Sequence, residues 1–187
     1  MKRCSWVKEE NPIYVAYHDE EWGRPLHDDQ ALFELLCLET YQAGLSWETV
    51  LKKRQSFREA FHYYDWTQVA MMTDNAIESL LTQDSLIRNR RKLFATRDNA
   101  KAFLKVIEIF GSFSTYLWGF VQDRAVDEKV EDYTKYPVSS SLSEELTKDL
   151  KSRGFKFVGP VSMQSFIQAA GLLNCHELTC EWHDQMS

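Results

Sequence analysis

The fold is decided by residues 141–171, SLSEELTKDLKSRGFKFVGPVSMQSFIQAAG. Ser141 followed by Glu144 fits a capping box, which predicts the start of a helix. Gly154 stands where a helix end favours a left-handed residue. After a short turn, Pro160 suits the first position of a second helix. The pattern therefore predicts two helices joined by a glycine-bounded turn.

The rest of the chain has a helical pattern as well. The predicted helices run from Ala31 to Leu38 behind Asp28 or Asp29 as caps, from near Ser46, from a cap at Asp74, from Asn89 to Phe110, and from Thr115 to Phe120. Residues 121–140 show no sustained period and predict a long loop, a kind of segment that tends to be functional or mobile. We expect an all-α fold over residues 1–187, as one helical domain or as two lobes around one core, with the paired helices at about 142–171.

Composition excludes several classes of protein. Of the 187 residues, 44% are hydrophobic and 13% aromatic, which is ample for a packed interior. No apolar run approaches the ~20 residues that span a bilayer. The opening MKRCSWVKEENP lacks the apolar stretch of a secretory signal. We therefore expect a cytoplasmic protein with no membrane partner.

The charge distribution leaves a nucleic-acid partner open. The net charge of −6 argues against one, but binding depends on where the cations lie. Residues 85–97 carry five positive charges and no negative one, and residues 147–156 carry four against one. Solvated helix faces would explain these runs equally well.

The glycine-bounded turn has the features of an anion site. Gly154 and Gly159 allow another molecule to approach the backbone closely. The amides of the turn and of the following helix end favour an anion. Lys151, Arg153 and Lys156 would make a DNA phosphate the natural partner. The alternative is an ordinary helical hairpin with basic flanks.

Cysteine and histidine residues gather near the two ends of the chain. His176 and Cys180 lie one helical turn apart, and Cys4 and His18 could complete a tetrahedral Cys₂His₂ metal site. Cys175 and His183 compete for the same role, and buried thiols without a metal are the alternative. Cys37 lies in an apolar run, which predicts a plain core thiol.

Aromatic residues crowd around one carboxylate in the first quarter of the chain. Glu39 shares this region with Trp6, Tyr14, Tyr17, Trp22 and Trp47. Purines stack on aromatic faces, and a cationic purine is attracted to them further. A carboxylate can accept from an exocyclic amine and also favours positive charge in a ligand. The alternative is that these rings only form core.

Read together, these segments resemble 3-methyladenine DNA glycosylase I, a family within the helix-hairpin-helix DNA glycosylases. The resemblance runs in order through nearly the whole chain, in the strings RCSW at 3–6, YHDEEWG at 17–23, LETYQAGLSW at 38–47, IRNR at 87–90, RGFKFVG at 153–159 and GLLNCH at 171–176. The strings QAGLSW and RGFKFVG are too specific to arise by chance.

The resemblance implies an enzyme that flips 3-methyladenine out of alkylated duplex DNA and hydrolyses its N-glycosidic bond, acting as a monomer. The family's base-reading carboxylate falls on Glu39 and its stacking tryptophan on Trp47, and the other pocket rings fall on Trp6, Tyr14, Tyr17 and Trp22. Gly44 and Leu45 match the loop that enters the gap left by the flipped nucleotide. The DNA-gripping hairpin falls on the turn with Gly154, Lys156 and Gly159. A structural Zn²⁺ is implied on Cys4, His18, His176 and Cys180.

The chain departs from the family pattern at a few positions. Thr40 and Tyr41 stand where glycine and glutamine are common, a difference that could reshape the edge of the pocket and whose effect the sequence leaves open. Cys175 stands where an aspartate is common and could compete for the metal. Residues 171–176 contain neither the aspartate that other superfamily members use nor a lysine for a Schiff base. This absence predicts a glycosylase without strand cleavage.

Two other classes of function stay open at this point. One is a helix-hairpin-helix DNA-binding module that has kept the scaffold and lost activity. The other is a small-molecule binder that uses the aromatic cage for a methylated cation. An intact Glu39 and Trp47 favour the enzyme over the first, and the glycine-bounded turn favours it over the second.

Overall fold

The computed structural model describes residues 1–185, and this part of the chain is mostly α-helical. The helices are α1 (Pro12–Glu20), α2 (Asp29–Gln42), α3 (Trp47–Ala60), α4 (Trp66–Met71), α5 (Asp74–Leu80), α6 (Arg90–Phe110), α7 (Phe113–Trp118), α8 (Ser141–Ser152) and α9 (Pro160–Ala169). Two short strands, β1 (Val126–Asp127) and β2 (Leu173–Asn174), pair in parallel. The predicted all-α class is confirmed.

Side-chain caps fix where the long helices begin. Asp28 accepts a hydrogen bond from the Ala31 amide, Ser46 from the Thr49 amide and Asn89 from the Lys92 amide. Each cap satisfies an amide of the first turn, which has no partner inside its own helix. The predicted starts of α3 and α6 are thereby confirmed, as is Asp28 as the cap of α2, although α2 begins at Asp29 and ends at Gln42 and so extends past the predicted Ala31 to Leu38 at both ends.

Two predicted caps are wrong by one residue. Helix α5 is capped by Thr73, whose hydroxyl accepts from the Ala76 amide, so Asp74 is the first helical residue. The capping box of α8 joins Ser140 and Ser143 instead of Ser141 and Glu144. The shorter Ser143 hydroxyl accepts from the Ser140 amide at 2.9 Å and so replaces the expected glutamate.

Helix α2 is the central element of the core. Residues 32–41 are all buried, because α2 packs against α3, α6, α7 and α9. A helix buried on every side has no polar face, so acidic residues on it need either a partner or a function. Two such residues, Glu34 and Glu39, lie on α2.

The two ends of the described chain are joined. The Glu181 amide donates to the Lys2 carbonyl at 3.0 Å. The Glu177 carboxylate accepts from the Ser5 amide at 2.8 Å and from the Ser5 hydroxyl at 2.6 Å. Among residues 1–185, no helix has both the length and the apolar composition needed to cross a membrane.

Candidate active site

A cavity of about 260 Å³ opens beside α2. Its wall contains all the rings that the sequence analysis singled out, together with Glu39. The lining residues are Trp6, Tyr14, Tyr17, Trp22, Glu39, Gln42, Trp47, Tyr133, Ser165 and Gln168. The predicted aromatic crowd is therefore a cavity wall with one acidic side chain.

Glu39 is buried and unpaired. Its exposed fraction is 2%, and within residues 1–185 its Oε2 atom has no hydrogen-bond partner and its carboxylate no ion pair. Burial raises the pKa of Glu39 from its ordinary value of 4.5 to about 8. A buried carboxyl without a partner costs free energy in the empty protein, which is typical of a group that is held for a ligand.

The other buried acid of α2 shows what a structural carboxylate looks like here. Glu34 accepts from the Arg58 guanidinium at 3.0 Å and forms an ion pair with Arg54. Both of these arginines lie on α3 and form ion pairs with Glu34. Glu39 faces rings and the cavity, and no arginine of residues 1–185 lines that cavity or pairs with this carboxylate.

The rings meet at angles that leave a slot. Trp6 and Trp22 pack edge to face with centroids 5.0 Å apart, and Tyr17 and Trp47 lie 5.4 Å apart. The indole Nε1 atoms of Trp6 and Trp47 are buried and have no acceptor among the described residues. The wall thus offers flat apolar faces, two indole N–H donors without an acceptor and one carboxylate oxygen without a donor, all counted among the described residues. These features suit a planar heterocycle that carries positive charge.

Four lining residues were missed by sequence reasoning: Gln42, Tyr133, Ser165 and Gln168. Tyr133 comes from the predicted loop, where it begins a short 3₁₀ turn, Tyr133–Lys135. Its amide donates to Glu177 at 2.8 Å, and its hydroxyl donates to Gln168 at 2.9 Å. Side-chain contacts that are distant in sequence bring this ring to the cavity, and no local pattern signals them.

Thr40 and Tyr41 do not line the cavity, so they do not reshape its edge directly. The Thr40 hydroxyl donates to the Cys37 carbonyl at 2.7 Å. Tyr41 is fully buried, stacks on Phe57 with centroids 4.4 Å apart and hydrogen-bonds Thr96 at 2.8 Å. Both side chains turn into the core, on sides of α2 other than the one that carries Glu39.

The four predicted metal-ligand residues come together in a second buried cluster. One ligand atom from each of Cys4, His18, His176 and Cys180 lies within 4.8 Å of all the others. The Cys4 Sγ lies 3.4 Å from His176 Nδ1, and the Cys180 Sγ lies 3.5 Å from both His176 Nδ1 and His18 Nε2. Tetrahedral zinc with Zn–S of about 2.3 Å and Zn–N of about 2.0 Å would separate such atoms by about 3.6 Å.

The outer nitrogens of both histidines are also engaged, as expected for metal ligands. His18 Nδ1 bonds Asp19 at 2.7 Å, and Arg3 holds the same carboxylate with three hydrogen bonds. His176 Nε2 donates to the Trp22 carbonyl at 3.2 Å. The hydrogen bond between Cys4 and Cys180 lowers the pKa of Cys180 and raises that of Cys4. This cluster could therefore hold a metal ion.

Cys175 and His183 lie outside the cluster. The Cys175 Sγ accepts from Gln168 at 3.4 Å, and His183 bonds Asp127 and Asp184 at 3.1 and 2.9 Å. Of the cysteines and histidines that the sequence left open as ligands, only Cys4, His18, His176 and Cys180 come together among residues 1–185. Cys37 is fully buried in the core, as predicted.

The metal cluster and the cavity share a wall. The ring centroids of Trp22 and His176 lie 4.7 Å apart, and those of Trp6 and His18 lie 5.4 Å apart. Both indoles also line the cavity. Gly23 lets the chain pass close to His176, since a Cβ there would meet Nε2 at 2.8 Å. The cluster therefore supports the indoles that form the slot.

Two exposed turns complete the surface near these sites. The first, which we call the leucine loop (residues 43–46), joins α2 to α3 and contains Gly44 at φ +82° and Leu45 at 36% exposure. The second, the glycine turn (residues 154–159), joins α8 to α9 and contains Gly154 at φ +95° and an exposed Lys156. Leu45 is a large apolar side chain left in solvent by a loop that Glu39 and Trp47 flank.

The basic runs contribute fewer free cations than their sequence suggests. In residues 85–97, ion pairs engage Arg88 with Asp84, Arg90 with Glu78 and Arg97 with Asp74, and Lys92 is buried. Arg153 pairs with Asp149 and lies over the Tyr116 ring. Arg91, Lys151 and Lys156 stay exposed on the α6 and glycine-turn surface.

Comparison with known proteins agrees with this geometry. The sequence profile of the methyladenine glycosylase family matches residues 6–184. The chain is 44% identical over 180 residues to DNA-3-methyladenine glycosylase 1 of Escherichia coli K12, covering 96% of each protein. It is 46% identical over 178 residues to DNA-3-methyladenine glycosylase of Haemophilus influenzae, covering 95% of this chain and 96% of the relative.

A solved structure is similar over the same extent. That structure describes how 3-methyladenine DNA glycosylase I of Staphylococcus aureus recognises 3-methyladenine, and it superposes with a TM-score of 0.93 at 41% identity, covering 97% of this chain and 96% of the other. Both the sequence match and the fold extend across essentially the whole molecule. The chain therefore belongs to the methyladenine glycosylase family.

Proposed function

We propose that this protein removes 3-methyladenine from alkylated duplex DNA by flipping the base into the aromatic cavity and hydrolysing its N-glycosidic bond. The observation that carries the proposal is Glu39, a buried carboxylate without a partner in a slot of rings. An adenine alkylated at N3 is planar and positively charged in DNA, so it supplies the stacking surface and the charge that this cavity lacks.

Binding begins at the phosphate backbone. Gly154 allows the tight turn, and the Gly159 amide and the exposed Lys156 side chain grip phosphates, with an affinity that falls as salt rises. Leu45, with Gly44 allowing the tight turn, fills the space that the extruded nucleotide vacates. This insertion offsets part of the few kcal/mol of unstacking.

In the cavity, Glu39 acts as the catalytic carboxylate and reads the edge of the base, and Trp47 stacks on its face. Trp6, Tyr14, Tyr17 and Trp22 complete the slot. The positive charge of the lesion favours the ionised form of Glu39, and the pair is strong because the site excludes water. The glycosidic bond of the cationic base is inherently weak, so the base leaves without being protonated and water attacks the sugar. Undamaged purines leave far less readily and are poor substrates.

The Cys₂His₂ cluster fits Zn²⁺ in a closed, structural role. Cys4 and His18 from the N-terminal segment and His176 and Cys180 from the C-terminal segment would hold it. The ion would cross-link the two ends of the fold and would take no part in the reaction.

We propose that the protein works as a cytoplasmic monomer on DNA.

The first prediction concerns the products of the reaction. When methylated duplex DNA is incubated with the purified protein and the freed bases are separated by chromatography, we expect 3-methyladenine to be released and undamaged purines to stay in the DNA. A matched gel should show abasic sites but no broken strands, since the cavity wall contains no lysine among its described residues. Release of no methylated base would contradict the proposed function and favour an inactive DNA-binding module. Strand breaks would contradict only its monofunctional character.

A further inference from the structure

Helix α6 holds both exposed turns through two buried polar side chains. Lys92 is 5% exposed, and its ammonium donates to the Tyr41 carbonyl at 2.8 Å and to the Ala43 carbonyl. Asn99 is fully buried, and its amide accepts from the Lys156 backbone N–H at 2.7 Å and donates to the Lys156 carbonyl at 3.2 Å. The first grips the start of the leucine loop and the second the middle of the glycine turn.

The chemistry of each contact suits the turn it holds. The last carbonyls of α2 have no partners inside that helix and carry the negative end of its dipole, so a buried ammonium both satisfies and neutralises them. The glycine turn contains Phe157 at φ +57°, a left-handed conformation that is strained for a residue with a side chain. Asn99 holds both backbone groups of Lys156, the residue before Phe157. The Cζ atom of Arg91 lies over the Phe157 ring, 5.8 Å from its centroid.

Core packing alone does not require either side chain. A buried ammonium loses its hydration and is tolerated only where hydrogen bonds replace the water. Lys92 and Asn99 lie seven residues, or two turns, apart on one face of α6, so their attachment points are separated by about 10 Å along its axis.

We propose that Lys92 and Asn99 are positioning residues that make α6 a rigid connection between the leucine loop and the glycine turn. They would thereby fix the position of the loop that fills the vacated space relative to the turn that binds the phosphates. The inference rests on the proposed function. Lys92 acts on the reaction through the position of Leu45 and Asn99 through the position of Lys156, and neither side chain lines the cavity. Their loss should therefore act on different kinetic constants.

The test uses Lys92→Met and Asn99→Leu, which keep size and remove the hydrogen bonds. For Lys92→Met we expect kcat for excision from methylated duplex to fall roughly 10- to 100-fold with KM within about threefold, because Leu45 is misplaced in the flipped complex. For Asn99→Leu we expect KM to rise about tenfold with kcat nearly unchanged, because the phosphate grip is weakened. Binding of free 3-methyladenine, followed by quenching of the cavity tryptophans, should stay within about threefold in both variants.

Matched variants keep the test decisive. Lys101→Met removes an exposed lysine from the same helix and should match the parent in every constant. Lys92→Gln and Asn99→Asp keep part of the hydrogen bonding, should show intermediate losses of the same kind, and replace the first pair if either fails to fold.

Three results would overturn the proposal. The first is kcat and KM within about threefold of the parent in both variants, and the second is parallel loss of free-base binding and excision, which marks a merely structural role. The third is a parent enzyme that releases no base, which refutes the proposed function itself and this inference with it.

Discussion

Glu39→Gln should lower the excision of 3-methyladenine from methylated duplex DNA by roughly 10²- to 10³-fold, the size of effect seen when one preorganised electrostatic group is removed from an active site. The glutamine amide fills the same volume and can still hydrogen-bond the base, but it carries no charge to pair with a cationic purine. The rate is measured as a single turnover with protein in excess over lesions. Glu108→Gln, at an exposed position of α6, is the matched control and should retain the parent rate.

The same variant should be more stable than the parent at high pH, which shows that the loss of activity is not a loss of fold. The pKa of Glu39 rises from 4.5 to about 8 on folding. Below the ordinary value the carboxyl is neutral in both states and folding carries no penalty. The penalty grows as pH rises from 4.5 through about 8, because the unfolded chain is then ionised and the buried group resists ionisation. Thermal denaturation should place Glu39→Gln above the parent at alkaline pH and close to it in mild acid.

Cys4→Ser should release the metal and lower the thermal midpoint by about 10 to 20 °C. The proposed ion closes a loop of about 175 residues between Cys4 and Cys180. By the chain-entropy relation, a cross-link over such a loop contributes about 5 kcal/mol to the free energy of unfolding. In a chain of this length each kcal/mol shifts the midpoint by about 2 to 4 °C.

The control for that prediction is Cys175→Ser, a buried cysteine next to His176 but outside the cluster. We expect elemental analysis to find one zinc ion per chain in the parent and in Cys175→Ser, and almost none in Cys4→Ser or His176→Ala. A parent without stoichiometric zinc, or equal midpoints for the two serine variants, would remove the metal cross-link.

Much of the fold was predictable because local rules decide it. The caps at Asp28, Ser46 and Asn89 and the glycines after α6 and α8 mark helix ends by backbone chemistry alone. Helices α1 and α4 were not predicted. Short helices are hard to place from a period: α4, with six residues, was missed, and α7, also with six, lies two residues before the predicted Thr115 to Phe120. Helix α1 buries only Tyr17 and His18.

The site was only partly predictable, because its defining property is tertiary. Glu34 and Glu39 are both acids in one buried helix, and their sequence surroundings do not tell which is paired. Arg54 and Arg58 reach Glu34 from α3, and only this leaves Glu39 for a ligand. The family resemblance singled out Glu39, but the absence of an ion pair there, among residues 1–185, needed coordinates. Tyr133 reached the cavity through contacts with Glu177 and Gln168 that no local pattern encodes.

The most direct test of the catalytic role of Glu39 is the pH profile of kcat/KM for excision, measured with methylated duplex DNA and compared between the parent and Glu39→Gln. This constant reports ionisation in the free enzyme. The lesion keeps its positive charge at every pH, and the pKa of Glu39 is about 8. We therefore expect kcat/KM of the parent to rise about tenfold per pH unit below pH 8 and to level off above it, with a flat and much lower profile for the variant. A parent profile that is flat from about pH 6 to pH 9, or one that the glutamine variant reproduces, would contradict the catalytic role of Glu39.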